Sequence, residues 1–136
     1  MLTLARFLVT LWAGSLWTIC GLAAPTSFAV LGRATAGMLV GWFFALAAWL
    51  GFAIAVVLLV LARVGDLAAL RAATTWIAIT AAAPVASELV LGPLMHQARV
   101  AGEMQRFALL HGLSAVLFLT ACVGAAVLVV RISREG

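Results

Sequence analysis

The stretch AGMLVGWFFALAAWLGFAIAVVLLVL, residues 36–61, contains neither a charged residue nor a proline. It is longer than the ~20 apolar residues that an α-helix needs to cross the hydrocarbon core of a bilayer. Three further apolar runs reach this length, so that four of them fill most of the 136-residue chain: Phe7–Leu31, Ala36–Leu61, Ala72–Leu91 and Phe107–Val130. The sequence therefore predicts an all-α fold, a single domain over residues 1–136 that is an integral membrane bundle of four transmembrane helices.

Composition narrows the classes of function. Hydrophobic residues make up 67% of the chain and charged residues 9%, whereas ordinary globular domains are ~25% charged. Four spans leave no room for a soluble catalytic domain or a nucleotide-binding fold. The net charge is +4, but the arginines stand singly at the ends of the runs, which is typical of anchoring to lipid headgroups. The expected partner is the lipid bilayer, and no nucleic acid is expected.

The arginines also predict an orientation. Cytoplasmic loops of membrane proteins carry an excess of Lys and Arg, and here five arginines on one side oppose three on the other: Arg6, Arg63, Arg71, Arg131 and Arg134 against Arg33, Arg99 and Arg106. Both termini are therefore predicted in the cytoplasm. The first run is longer than a signal-peptide core and a proline follows its candidate cleavage site, so it is predicted to be a retained span. The Ala- and Arg-rich chain is typical of a bacterial plasma (inner) membrane protein.

Small residues in the first two runs predict helix packing. Gly14 and Gly21 lie one heptad apart, and Gly37 and Gly41 form a small-xxx-small motif. Such residues let membrane helices approach closely, either within one chain or between copies. A homo-oligomer or a larger membrane complex is the corresponding prediction.

Three prolines predict irregular helices. Pro25, Pro84 and Pro93 each lack the N–H that would bond four residues back, so a kink or a helix end is expected at each. After the third run, Arg99 and Glu103 have the i,i+4 spacing of a short interfacial helix. Each half of the chain carries a proline, but the halves show no convincing residue-by-residue match.

A polar face on the fourth run is the first candidate site. At 100° per residue, one face carries His111, Ser114, Phe118, Cys122 and Ala125, and it is expected to face the bundle interior. The histidine could be a proton-linked switch or a metal ligand. Alternatively, it caps the start of the helix through a hydrogen bond to the serine or to a loop carbonyl.

The third run adds an acidic residue to this candidate site. Glu88, beside Ser87, is the deepest carboxyl group in the chain, and an ionisable residue inside a membrane is a functional candidate by default. Its expected partners are His111, Arg99 or Arg106; the alternative is an interfacial carboxylate paired with an arginine. We predict a functional polar cluster near one membrane face, made of Ser87, Glu88, His111 and Ser114.

Soft ligands are present but scattered. Met95, His96 and His111 are weak metal candidates, since their spacing matches no standard site. No cofactor is expected, and a haem or a soft metal such as copper(I) is the alternative, because two histidines could meet in space. Cys20 and Cys122 are interpreted as small buried apolar residues. No catalytic triad, phosphate loop or carboxylate pair occurs, so enzymatic activity is not expected.

Several of these residues together resemble a known family. Trp12, Gly14, Trp17, Pro25 and Phe28 in the first run, Pro93 and Met95 after the third, and Phe107 followed by His111-Gly112-Leu113-Ser114 resemble the transmembrane-protein-205-like family, also called domain of unknown function 4149. Where such proteins often have asparagine, this chain has Ser87 and Phe118. The animal branch of that family is associated with export of platinum drugs, so the resemblance implies handling of metals or small solutes.

Three classes of function follow. The first is transport of, or resistance to, metals or small solutes, with an oligomer supplying the pathway. The second is an accessory or assembly subunit of a larger membrane complex. The third is a membrane protein that binds haem or a metal.

Overall fold

The computed structural model describes residues 1–65 and 67–134, and these residues are helical apart from short connections. Seven α-helices and two five-residue π-helical segments follow one another along the chain. In order they are α1 (Leu2–Thr18), π1 (Ile19–Ala23), α2 (Ala24–Val30), α3 (Arg33–Val64), α4 (Ala68–Ala72), α5 (Thr74–Ala86), π2 (Ser87–Leu91), α6 (Gly92–Val100) and α7 (Met104–Ser133).

These elements form four helices that are long and apolar enough to cross a membrane. They are span 1 (Leu2–Val30), span 2 (Arg33–Val64), span 3 (Thr74–Val100) and span 4 (Met104–Ser133). The predicted all-α membrane bundle is confirmed. Span 3 differs from its predicted end at Leu91, because its helix continues through Pro93. The stretch predicted as a separate interfacial helix therefore begins inside span 3.

The spans alternate in direction and pack in a ring. Span 1 contacts span 2, span 2 contacts span 3, span 3 contacts span 4, and span 4 returns to span 1. Met1, Arg134 and the turn at Gly65 lie on one side of the bundle, which we call the terminus side. The turns at Leu31–Gly32 and Ala101–Glu103 lie on the other, the loop side. On the terminus side, Arg6 Nε donates a hydrogen bond to the carbonyl oxygen of Ile132, 3.4 Å away.

Two of the three prolines lie just after a π segment. Pro25 and Pro93 are the second residues of α2 and α6, directly after π1 and π2. A proline ring would clash with the carbonyl group four residues back, and a wider π turn gives that carbonyl room. The helix therefore continues to Val30 and does not end at Pro25. Pro84 lies buried inside α5, which is α-helical throughout.

The two hairpins, spans 1–2 and spans 3–4, are built alike. Each starts with a span in which an α-helix, a five-residue π segment and a short proline-containing α-helix follow one another. Trp12 and Thr80 lie the same number of residues before the two prolines, and each faces a glycine of the next span, Gly51 and Gly124. Because spans 1 and 3 run in the same direction, this shared order of elements is the layout of a parallel repeat.

The glycines that pack the bundle are not the predicted ones. A methyl group added to Gly14, Gly21, Gly37 or Gly41 would meet no atom within 4 Å, so these glycines do not pack helices within the chain. Gly51 and Gly124 do: a methyl group at Gly51 would strike the Trp12 indole, and one at Gly124 would strike the Thr80 hydroxyl. Whether these four glycines pack helices of different copies against each other stays a prediction.

The main hydrophobic core occupies the terminus-side half of the bundle. Span 1 contributes residues from Ala5 to Leu16, span 2 from Ala47 to Ala62, α4 and span 3 together from Leu70 to Ala81, and span 4 from Phe118 to Ile132. Leu16, Leu58, Leu70, Ile77 and Leu128 are all 0% exposed within it. This half of the bundle is therefore closed by side-chain packing.

Candidate functional site

The two hairpins part in the loop-side half of the bundle. Helix α2 packs on span 2 of its own hairpin, and α6 packs on span 4 of its own hairpin. Neither short helix makes an extended contact with the other hairpin in the part of the chain that the structure describes. This separation, which we call the opening, begins where the main core ends.

Two contacts between the hairpins form the floor of the opening. The Sγ atoms of Cys20 in π1 and Cys122 in span 4 lie 3.6 Å apart, and both cysteines are free. The rings of Phe44 in span 2 and Phe118 in span 4 have their centroids 4.4 Å apart. The first contact joins span 1 to span 4, and the second joins span 2 to span 4.

One face of span 4 runs from this floor to the loop side. Cys122, Phe118, Ala115 and His111 follow one another at intervals of four, three and four residues, so they share a face. The first two are buried and the last two are exposed. Eleven residues of helix cover about 16 Å, which is half the thickness of a ~30 Å hydrocarbon core. The predicted interior face therefore exists, but only its deeper part is covered by the bundle.

A serine pair lies beside this face. The Oγ atoms of Ser87, the first residue of π2, and Ser114 in span 4 are 2.6 Å apart, a hydrogen bond in which either can donate. Ser87 is buried and Ser114 is half-buried. Each hydroxyl keeps further hydrogen-bonding capacity. The structure thus brings together two of the four residues of the predicted cluster.

His111 belongs to an aromatic stack at the rim of the opening. Its ring lies parallel to that of Phe107, with the centroids 5.9 Å apart, and the guanidinium carbon of Arg99 lies 4.7 Å from the Phe107 ring centroid. A cation over an aromatic face is electrostatically attracted to it. Glu103 does not pair with Arg99 but with Arg106, at 3.1 Å, because the helix ends at Val100 and restarts at Met104.

Glu88 stands apart from the expected partners. It is half-buried, and among the described residues its carboxylate makes no hydrogen bond or ion pair. Arg99 and His111 stack on Phe107 and Arg106 binds Glu103, so the structure does not show the predicted contacts with Glu88. As the second residue of π2, Glu88 occupies the position that Cys20 holds in π1.

The metal candidates do not form a site with other ligands. Among residues 1–65 and 67–134, no three His, Cys, Asp or Glu side chains are grouped so that they could hold a metal ion. His96 is exposed and Met95 is half-buried on α6, whereas His111 is stacked on Phe107. A tetrahedral site of the zinc type needs four ligands, and the described residues do not supply them.

The sequence analysis missed two features of the site. The cysteines are separated by 102 residues, and only the ring arrangement of the spans brings them together. The Thr80 hydroxyl is buried without a hydrogen-bond partner; a threonine followed four residues later by a proline is the one local signal that this turn is unusual.

Comparison with known proteins places the chain in a family. The model of the family described as "Domain of unknown function (DUF4149)" matches residues 7–104, which cover spans 1 to 3. Residues 107–114, on which the resemblance also rested, lie outside the match. No curated protein and no solved structure matches the chain. Since the match covers more than half of the sequence, the chain belongs to the DUF4149 family.

Proposed function

We propose that this chain binds a small solute or an ion at the floor of the opening and serves as the binding unit of a membrane transport protein. The observation that carries the proposal is the parting of the two hairpins at mid-membrane, directly above the Cys20–Cys122 and Phe44–Phe118 contacts. Transporters built from repeats commonly bind their substrates near the bilayer midplane, at the interface between the repeats. The role proposed is binding and passage, with no chemical conversion of the solute.

The chemistry around the opening supports a polar occupant. The serine hydroxyls, the cysteine thiols and the His111 imidazole lie on or beside it, whereas the opposite face of span 4 exposes Leu113 and Val116. Polar groups that faced lipid would lose hydrogen bonds with water. The closed core on the terminus side prevents a continuous pore, so passage requires the hairpins to move or several copies to cooperate.

The orientation proposed is the one that the arginines favour, with the termini in the cytoplasm of a bacterial cell. The opening then faces away from the cytoplasm. A solute would enter it from outside the cell and reach the middle of the membrane, where the packed core stops it. Movement of one hairpin against the other would expose the same floor to the cytoplasm.

A one-sided labelling experiment tests the opening and the orientation together. In a background with Cys20→Ser and Cys122→Ser, we expect Ala115→Cys to react with a charged, membrane-impermeant methanethiosulfonate, because this position lies on the open face. Leu113→Cys, at nearly the same depth on the lipid-facing side, is the matched control and should stay unlabelled. Labelling should require reagent on the outer side of the membrane.

Two results would contradict this proposal. Equal inertness of both positions would mean that lipid or protein fills the opening. Reaction of Ala115→Cys only from the cytoplasmic side would keep the opening but reverse the proposed orientation.

The outer surface of the first hairpin favours a second candidate function, an assembly subunit that pairs with another copy of itself. A groove of about 800 Å³ runs between spans 1 and 2 on their outer side, and Gly14 lies on it. Gly37 and Gly41 are exposed, and a methyl group added to either would meet no atom of the described residues within 4 Å. Copies inserted in one orientation pair about an axis along the membrane normal, which places the same small residues at the same depth.

Substitution of Gly41 tests this candidate. Because a methyl group there would meet no described atom within 4 Å and Gly41 is exposed, Gly41→Leu should leave the protomer folded and shift the protein toward a smaller particle in detergent. Gly112→Leu, at another exposed glycine without neighbours in span 4, is the control and should not change the particle size. Analytical ultracentrifugation measures both, and an unchanged mass for Gly41→Leu would exclude this face as the interface.

A further inference from the structure

The cysteine pair at the floor of the opening has a chemistry that the binding proposal does not use. Cys20 and Cys122 come from different hairpins, and their Sγ atoms lie 3.6 Å apart. A disulfide needs about 2.05 Å, so rotation about the side-chain bonds and a small approach of the helices would bring the sulfurs into bonding distance. We propose that these two thiols are a redox site, oxidised to an intramolecular disulfide that fastens the two hairpins to each other.

The two cysteines have different exposures, and this difference sets their roles. Cys122 is 0% exposed, whereas Cys20 is partly exposed. An oxidant that enters the opening therefore reaches Cys20 first. Cys20 is the attacking residue, and Cys122, held against it, is the resolving residue. The inference rests on the proposed function in one respect, since the opening is the route by which the oxidant enters.

The oxidant is a low-molecular-weight disulfide, written RS–SR. The Cys20 thiol gives its proton to water, and its thiolate attacks one sulfur of RS–SR; that S–S bond breaks and the departing RS⁻ takes up a proton. Cys122 then loses its proton and attacks Sγ of Cys20, which forms the protein disulfide and releases a second RSH. Two electrons pass from the protein sulfurs to the oxidant. In the orientation proposed, the opening faces the compartment where disulfides persist.

The position of the bond determines its consequence. The cysteines lie at the level where the hairpins part, so a disulfide would hold span 1 against span 4 at that level. Movement of one hairpin against the other would then be restricted. A bond that closes a loop of about 100 residues also constrains the unfolded chain strongly, so the oxidised protein should unfold at a higher temperature than the reduced protein.

Oxidised glutathione is the probe. The full-length protein in lipid nanodiscs is equilibrated with it, quenched in acid and unfolded, and its free thiols are counted by the gel shift of a polymer-linked maleimide. We expect the wild type to pass from two free thiols to none without forming a cross-linked dimer. Its thermal midpoint should rise on oxidation. Cys122→Ser should retain one glutathionyl group on Cys20 by mass spectrometry, whereas Cys20→Ser should leave Cys122 unmodified.

The contrary results are equally definite. Two thiols that remain free at saturating oxidised glutathione, or a disulfide that forms only between chains, would overturn the inference. Modification of Cys122 before Cys20 would overturn the assignment of their roles. The labelling of Ala115→Cys uses a cysteine-free background, so it reads the opening independently. A labelled Ala115→Cys with unoxidised wild-type thiols would leave the proposed function standing and remove the redox site alone.

Discussion

Replacement of Gly51 by alanine is expected to destabilise the protein strongly. The new methyl group would strike the indole of Trp12, which is 1% exposed and belongs to the main core. A rigid bicyclic ring in a packed core cannot turn aside as a flexible side chain would. Overpacking of this kind typically costs about 1–3 kcal/mol, so thermal unfolding in detergent should occur at a clearly lower temperature.

The matched control is Gly112→Ala, at an exposed glycine of span 4. No atom lies within 4 Å of the methyl group that it adds, and alanine is the better helix former, so its midpoint should stay the same or rise slightly. If Gly51→Ala unfolded at the wild-type temperature, Trp12 would not be seated against span 2.

The second large effect is expected at the equivalent position of the other hairpin. A methyl group at Gly124 would strike the hydroxyl of Thr80 and lie 3.2 Å from its Cβ, so Gly124→Ala should also destabilise the protein, by about 1–3 kcal/mol. Here the group that obstructs the new methyl group, the Thr80 hydroxyl, can be removed. Thr80→Ala deletes the hydroxyl, which is buried and unpaired, and the Gly124→Ala change should cost less in that background.

A double-mutant cycle measures this coupling. Contacting residues commonly show interaction energies of about 0.5–3 kcal/mol, and we expect a favourable value within that range for Thr80→Ala with Gly124→Ala. Pairing Thr80→Ala with Gly51→Ala, in the other hairpin, is the control and should be additive. Additive losses at Thr80 and Gly124 would show that spans 3 and 4 do not approach each other as described.

The membrane fold could be predicted from the sequence because lipid imposes a simple requirement on length and polarity. A run such as residues 36–61 has few alternatives to a membrane-spanning helix. The continuation of span 3 to Val100 could not be predicted in this way, since it depends on a π segment that accommodates Pro93. The polarity of Gln97 and Arg99 indicated an interfacial segment, yet the helix continues through both residues.

Helix packing was harder to predict from the sequence. A small residue shows where two helices can approach closely, but not whether a second helix lies there. Gly37 and Gly41 match the motif but face outward, whereas Gly51 and Gly124 match no motif and receive Trp12 and Thr80. Which glycine packs depends on the rotation of each helix in the ring. That rotation is fixed by contacts between distant residues, which local spacing does not record.

The candidate site was only partly predictable, because local spacing shows which residues share a helix face but not which distant residues that face meets. Helical periodicity groups Ser114, Phe118 and Cys122 on one face of span 4, and in the structure the first is half-buried and the other two are buried. It could not show that the hairpins part beside His111, nor that the imidazole stacks on Phe107 and does not meet Glu88. The pairing of Cys20 with Cys122 required the ring order of the spans.

The parting of the hairpins is measured most directly by a spin-label scan of span 4 in lipid bilayers. Labels placed one at a time in the cysteine-free background report collisions with a water-soluble nickel complex and with oxygen, which partitions into lipid. We predict strong nickel contact at His111 and Ala115, its loss from Phe118 onward, and strong oxygen contact at Leu113 and Val116. Oxygen contact at His111 and Ala115 equal to that at Leu113, or no contact with either reagent, would contradict an opening between the hairpins.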